Sequence, residues 1–79
     1  MKVNFFATLR DRLGARSVDL DIPSGSTVGT LKSELTARYP VLKELIGHAL
    51  IAVNREYVFD PSVIPADAEV ALFPPVSGG

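Results

Sequence analysis

Strand-like alternation at both ends of the chain, with one helical stripe between, predicts an α+β domain in which a curved mixed sheet of four to five strands grips one main helix. The segments Lys2-Val3-Asn4-Phe5-Phe6-Ala7, Ser17-Val18-Asp19-Leu20-Asp21-Ile22 and Val70-Ala71-Leu72-Phe73 each repeat with the period of two of a strand that has one face on a core. Val28, Leu31, Leu35 and Tyr39 recur instead at helical spacing. With 79 residues there is room for one small domain, read as 1–73, with 74–79 left over as an extended tail.

The first strand is expected to turn Val3, Phe5 and Ala7 toward the core and Lys2, Asn4 and Phe6 away from it. Thr8 is placed to cap a short helix that buries Leu9 and Leu13 and ends at Gly14. Arg10, Asp11 and Arg12 then face water, and the arginines read either as a solvated face or as a binding site. Ser17 to Ile22 forms the second strand, with Val18, Leu20 and Ile22 inward. Pro23-Ser24-Gly25-Ser26 is a turn, and Thr27 is a suitable N-cap for the main helix, which must stop before Pro40 because the residue before proline avoids the helical region. Lys32, Ser33, Glu34, Thr36 and Arg38 fall on its solvent side. Val41, Leu42, Leu45 and Ile46 suggest a further helical turn closed by Gly47.

Ala49 to Val53 is a continuous apolar run too short for a helix and reads as a central strand. Asn54-Arg55 is a tight turn into a return strand, Glu56-Tyr57-Val58, with Tyr57 outward. Residues 60–68, containing Pro61 and Pro65, form an irregular connection to the last strand, Val70 to Phe73. A right-handed crossover through the helix brings that strand beside the first and parallel to it.

Composition closes off several kinds of activity. There is no cysteine, so no disulfide framework, no thiol nucleophile and no side chain on which to carry a persulfide. The single histidine, His48, is too little for a zinc site and reads as a surface residue before a strand. A net charge of −1 gives no electrostatic footprint for nucleic acid or an anionic membrane. No apolar run reaches a membrane span, and Met1-Lys2 leads into a strand rather than a secretory leader, so the expected location is the cytoplasm. No phosphate loop or nucleophile elbow is present, and no bound cofactor or metal is expected.

Two features remain that a self-contained domain does not need. Phe6, Tyr57, Ala71 and Phe73 all fall on the sheet face turned away from the helix, where singly exposed aromatics or a partner-binding patch are the two readings. After Phe73 the pattern stops. Pro74 and Pro75 lack backbone donors and hold an extended φ, while Gly78 and Gly79 carry no Cβ. The run Pro74, Pro75, Val76, Ser77, Gly78, Gly79 is therefore either an idle end or a thin arm able to reach roughly 20 Å into a partner's cleft.

Phe5-Phe6-Ala7, Leu9-Arg10, Gly14, Ala52-Val53-Asn54 and above all Glu69-Val70-Ala71-Leu72-Phe73-Pro74-Pro75-Val76-Ser77-Gly78-Gly79 resemble the MoaD sulfur carriers, the small subunits of molybdopterin synthase, along the whole chain. The resemblance implies a ubiquitin-like β-grasp fold and chemistry at the terminal carboxylate of Gly79. A ubiquitin-activating-type adenylyltransferase, MoeB-like, would use ATP to make an acyl adenylate there. Sulfur from a persulfide, supplied by a donor such as a cysteine desulfurase or rhodanese, would displace AMP to give a thiocarboxylate. The tail would then enter the large subunit, MoaE-like, and pass sulfur to cyclic pyranopterin monophosphate. Phe6, Tyr57 and Phe73 match positions that contact both partners, and the chain is implied to be a carrier rather than an enzyme. Two departures stand out: Asp67-Ala68-Glu69 where the family usually has a glycine before the last strand, and Thr30 where the main helix often has an acidic residue. A carrier for thiamine or cysteine synthesis, a modifier joined to lysines, and a plain binding module are the alternatives.

Overall fold

Burial of every second residue in the first and last strands gives both the same core face. The computed structural model describes residues 1–75. In β1 (Lys2–Phe5) Val3 and Phe5 are buried, and in β5 (Val70–Phe73) Val70 and Leu72 are buried. The two strands pair in parallel with Val3 opposite Val70 and Phe5 opposite Leu72, so both alternations point to one core. β2 (Ser17–Asp19) runs antiparallel to the outer side of β1, and β3 (Leu50–Val53) antiparallel to the other side of β5. β4 (Glu56–Val58) closes the far edge. The five-stranded order β2-β1-β5-β3-β4 is the mixed sheet expected, with the last strand at its centre.

Across the core face lies α2 (Val28–Arg38), which buries Val28, Leu31 and Leu35. Thr27 caps it as anticipated: its Oγ1 accepts from the Thr30 N–H at 3.2 Å, and the two hydroxyls are also 3.2 Å apart. Thr30 thus supports the cap where an acidic residue is more usual. The first helical amides, Val28 and Gly29, donate to the carbonyls of Ser62 and Asp60, both at 2.9 Å. A Lys32–Asp60 ion pair at 2.7 Å fastens the same segment to the helix. The irregular connection is therefore the second half of the helix cap, and it inserts Ile64 into the core, a burial with no periodic signal to announce it.

Four local expectations change. Ala7 is exposed and starts α1 (Ala7–Leu13) instead of ending β1 on the core face. The N-cap is Phe6, not Thr8, and it works through its backbone: its carbonyl accepts from Leu9 and Arg10 at 3.2 and 3.4 Å while its own N–H donates to Leu72 at 3.1 Å. Pairing with β5 holds Phe6 extended, and the chain turns at Ala7 with φ 52°. β2 stops at Asp19 rather than Ile22, although Leu20 stays buried and exchanges two bonds with Met1, of 2.7 and 3.0 Å. Gly47 follows α3 (Lys43–Ile46) with φ −60°, an ordinary helical value, whereas Gly14 closes α1 at φ 80° as expected. Between α2 and α3, a 3-10 turn at Pro40–Leu42 buries Leu42.

The β3–β4 turn puts Asn54 and Arg55 at φ 51° and 69°, the primed geometry whose twist suits a two-residue hairpin. Asn54 also clips the hairpin to β5: its N–H donates to the Glu69 carbonyl at 2.8 Å and its Oδ1 accepts from the Glu69 N–H at 2.9 Å. Asp67, at φ 59°, occupies a left-handed position, an angle that aspartate tolerates better than most residues. His48 is exposed in the turn before β3.

Candidate docking face at the root of the tail

Parallel pairing of β1 with β5 carries Phe6 and Phe73 out of the sheet side by side. Their rings stack at 4.7 Å between centroids with planes 9° apart. Tyr57 meets Phe73 edge-on, at 6.4 Å and 72°. The register explains how an edge-strand residue reaches this pair. Ala52 lies opposite Tyr57 on one side and opposite Ala71 on the other, while Leu50 lies opposite Phe73. Two small residues between the rings leave space for Tyr57 to lean toward Phe73.

The sites named from the sequence on this face are thus brought together: Phe6, Phe73 and Tyr57 touch in sequence, with Ala71 half-buried beneath them. Phe6 is 43% and Tyr57 67% exposed, a large apolar area to leave in water at one spot. Leu50 and Ala52 belong to the same face but were not singled out, because a continuous apolar run hides which residues point which way; pairing with Phe73 and Tyr57 reveals it. Phe59, one residue past β4 and 79% exposed, was also missed, although its spacing of two from Tyr57 was a usable signal.

Phe73 is the last residue of β5, and Pro74 and Pro75 follow it, the first half-buried and the second exposed. The aromatic face and the departure of the chain therefore coincide. Val76, Ser77, Gly78 and Gly79, the remainder of the candidate tail, lie outside the described residues.

A mixed five-stranded sheet on one long helix, with an aromatic face at the root of its final strand, defines a ubiquitin-like β-grasp protein. The crystal structure of SAMP1 from Haloferax volcanii superposes with a TM-score of 0.82 at 34% identity, covering 99% of this chain and 97% of that one. The chain belongs to the ThiS family, whose model matches residues 3–79. Among curated relatives it is similar to the molybdopterin synthase sulfur carrier subunit of Arabidopsis thaliana, 37% identical over 100% of this chain and 82% of the relative. That of Escherichia coli is 41% identical over 100% and 99% of the two chains.

Proposed function

We propose that this protein is the sulfur-carrier subunit of a molybdopterin synthase. The observation that carries the reading is the Phe6–Phe73 stack, flanked by Tyr57, at the point where Pro74 and Pro75 leave the sheet. A docking face at the root of an arm is what a carrier needs, since the body must be held while the end reaches into another protein's active site. The relatives from Arabidopsis thaliana and Escherichia coli, matched along the whole length of this chain, are carrier subunits by name.

The chemistry assigned to the end follows from what the chain lacks. Without cysteine no side-chain thiol can carry the sulfur, and the proposed acceptor is the carboxyl carbon of Gly79, whose slim glycine approach no Asp or Glu side chain shares. A carboxylate is a poor acylating agent until it has a leaving group. In the proposed cycle a carboxylate oxygen attacks the α-phosphorus of ATP on an activating adenylyltransferase, and diphosphate leaves. The outer sulfur of a persulfide, from a desulfurase or rhodanese, then attacks the acyl carbon and AMP leaves; a thiol cleaves the resulting acyl disulfide, leaving the thiocarboxylate. On the large subunit that sulfur is transferred to cyclic pyranopterin monophosphate. The carrier binds no cofactor itself; ATP belongs to the activating partner. No helix among the described residues is long and apolar enough to cross a membrane, and we place the cycle in the cytoplasm, where ATP is supplied.

Reconstitution tests this. With large subunit, activating enzyme, ATP, sulfur donor and the pyranopterin, the full chain should support molybdopterin formation, and removal of Gly79 should abolish it while large-subunit binding survives. Equal product formation without Gly79 would refute the assignment. A second reading rests on the SAMP1 likeness, that protein being a small archaeal modifier by name. Lysine-linked conjugates of this chain formed with activating enzyme and ATP would favour it.

A further inference from the structure

The sheet has two open edges, and they are finished differently. Along β2 the exposed residues are charged: Arg16 just before the strand, Asp19 at its end, and Asp21 beyond. Charges of this kind blunt an edge against pairing with another chain. Along β4 charges also flank the strand, at Arg55, Glu56 and Asp60, but the side chains exposed between Glu56 and Asp60 are the aromatic Tyr57 and Phe59, at 67% and 79% exposure.

The ladder also determines where the backbone groups of β4 point. Asn54 donates to Glu69, so residues 54, 52 and 50 of that segment bond toward β5, and 53 and 51 toward β4. Glu56 and Val58, opposite Val53 and Ile51, therefore face β3, and the N–H and C=O of Tyr57 face the open edge. The Phe59 carbonyl is already taken by the Ser62 N–H at 2.9 Å. What remains is a short run of edge groups, the Tyr57 N–H and C=O and the Phe59 N–H, set between two exposed rings. Tyr57, Phe59 and Leu50 line one shallow groove, rimmed by the Lys32–Asp60 ion pair.

The geometry points to the β4 edge as a strand-pairing site for an extended, apolar segment of the partner protein that docks on the aromatic face. The edge supplies one residue's worth of paired donor and acceptor, which only another extended backbone matches. Tyr57 and Phe59 supply side-chain anchors. The site is continuous with the docking face because Tyr57 belongs to both, touching Phe73 with its ring and the open edge with its backbone. The partner's contact thus wraps from the sheet face around its edge, and Phe59 becomes a recognition residue. This rests on the carrier reading for the identity of the partner, the large subunit of the synthase.

Amide hydrogen exchange on the isotopically labelled chain, alone and saturated with purified large subunit, is the test. Tyr57 and Phe59 amides should exchange freely in the isolated chain and slow by about a hundredfold or more in the complex, as amides in a paired strand do. Phe59→Ser should weaken binding by about tenfold or more. Tyr57→Pro, which removes an edge donor that β3 does not use, should weaken it by about tenfold beyond Tyr57→Ala, with unchanged thermal midpoints showing that both variants fold. A complex in which the Tyr57 amide still exchanges at the free rate overturns the pairing site and leaves the carrier reading intact. Absence of any complex overturns both. Slowing that appears without partner and grows with protein concentration would give the edge to a second copy and also overturn the proposal.

Discussion

Two adjacent residues, Asn54 and Arg55, carry the backbone strain of the β3–β4 turn. Asn54-Arg55 was legible as a turn because it separates a continuous apolar run from a short return strand, but the positive φ of both residues is visible only in the fold. Arginine has no way to relieve that strain, and glycine is the usual second residue of such a turn. Arg55→Gly should therefore raise stability by about 0.5 to 1 kcal/mol, read from the shift of the urea midpoint; an unchanged or lower midpoint would contradict backbone strain at Arg55. Asn54→Ala removes both the tolerant left-handed residue and the acceptor of the Glu69 N–H, and should cost about 1 to 2 kcal/mol by the same measurement. On the docking face, Phe73→Ala removes the ring that both Phe6 and Tyr57 contact, and should weaken large-subunit binding by about 2 kcal/mol or more in calorimetry. Equal affinity would dismiss the face as the docking site. The pairing of Phe6 with Phe73 was foreseeable from the parallel register; the closeness of Tyr57 was not, because it depends on the two alanines that separate the strands' larger side chains.

At the scale of elements, periodicity located three strands and the main helix, a short apolar run and the turn after it located the other two strands, and the reading failed where backbone bonds rather than side chains set the boundary. The start of α1 is the clearest case. Thr8 has the chemistry of a cap, yet the Phe6 carbonyl does the capping because pairing with Leu72 keeps Phe6 extended. At α2 the same chemistry was read correctly: Thr27→Ala should cost about 1 kcal/mol in a chemical unfolding curve, whereas Thr8→Ala should change it by less than about 0.5 kcal/mol. The 60–64 connection was opaque in sequence since its task, accepting the Val28 and Gly29 amides, falls to carbonyls that every residue carries. Ile64 went unnoticed as a core residue for the same reason: a lone inward side chain in a loop has no period.

For the molecule as a whole, the topology sets the proposed tail on the best-supported strand of the sheet. β5 is central, flanked by β1 and β3, so the segment from which the tail departs is the part of the sheet least able to fray. Its two inward residues, Val70 and Leu72, are fully buried, and the helix above them seals the other side with Leu31 and Leu35. In the proposed cycle, this firm base and the aromatic face at its rim would let partners grip the body while sulfur is loaded and transferred at Gly79. The direct test is the intact mass of the chain after incubation with activating enzyme, ATP and a sulfur donor. The account predicts a gain equal to the difference between sulfur and oxygen, borne by the C-terminal peptide and lost when Gly79 is removed. A mass that never changes, or a gain that persists without Gly79, would contradict it.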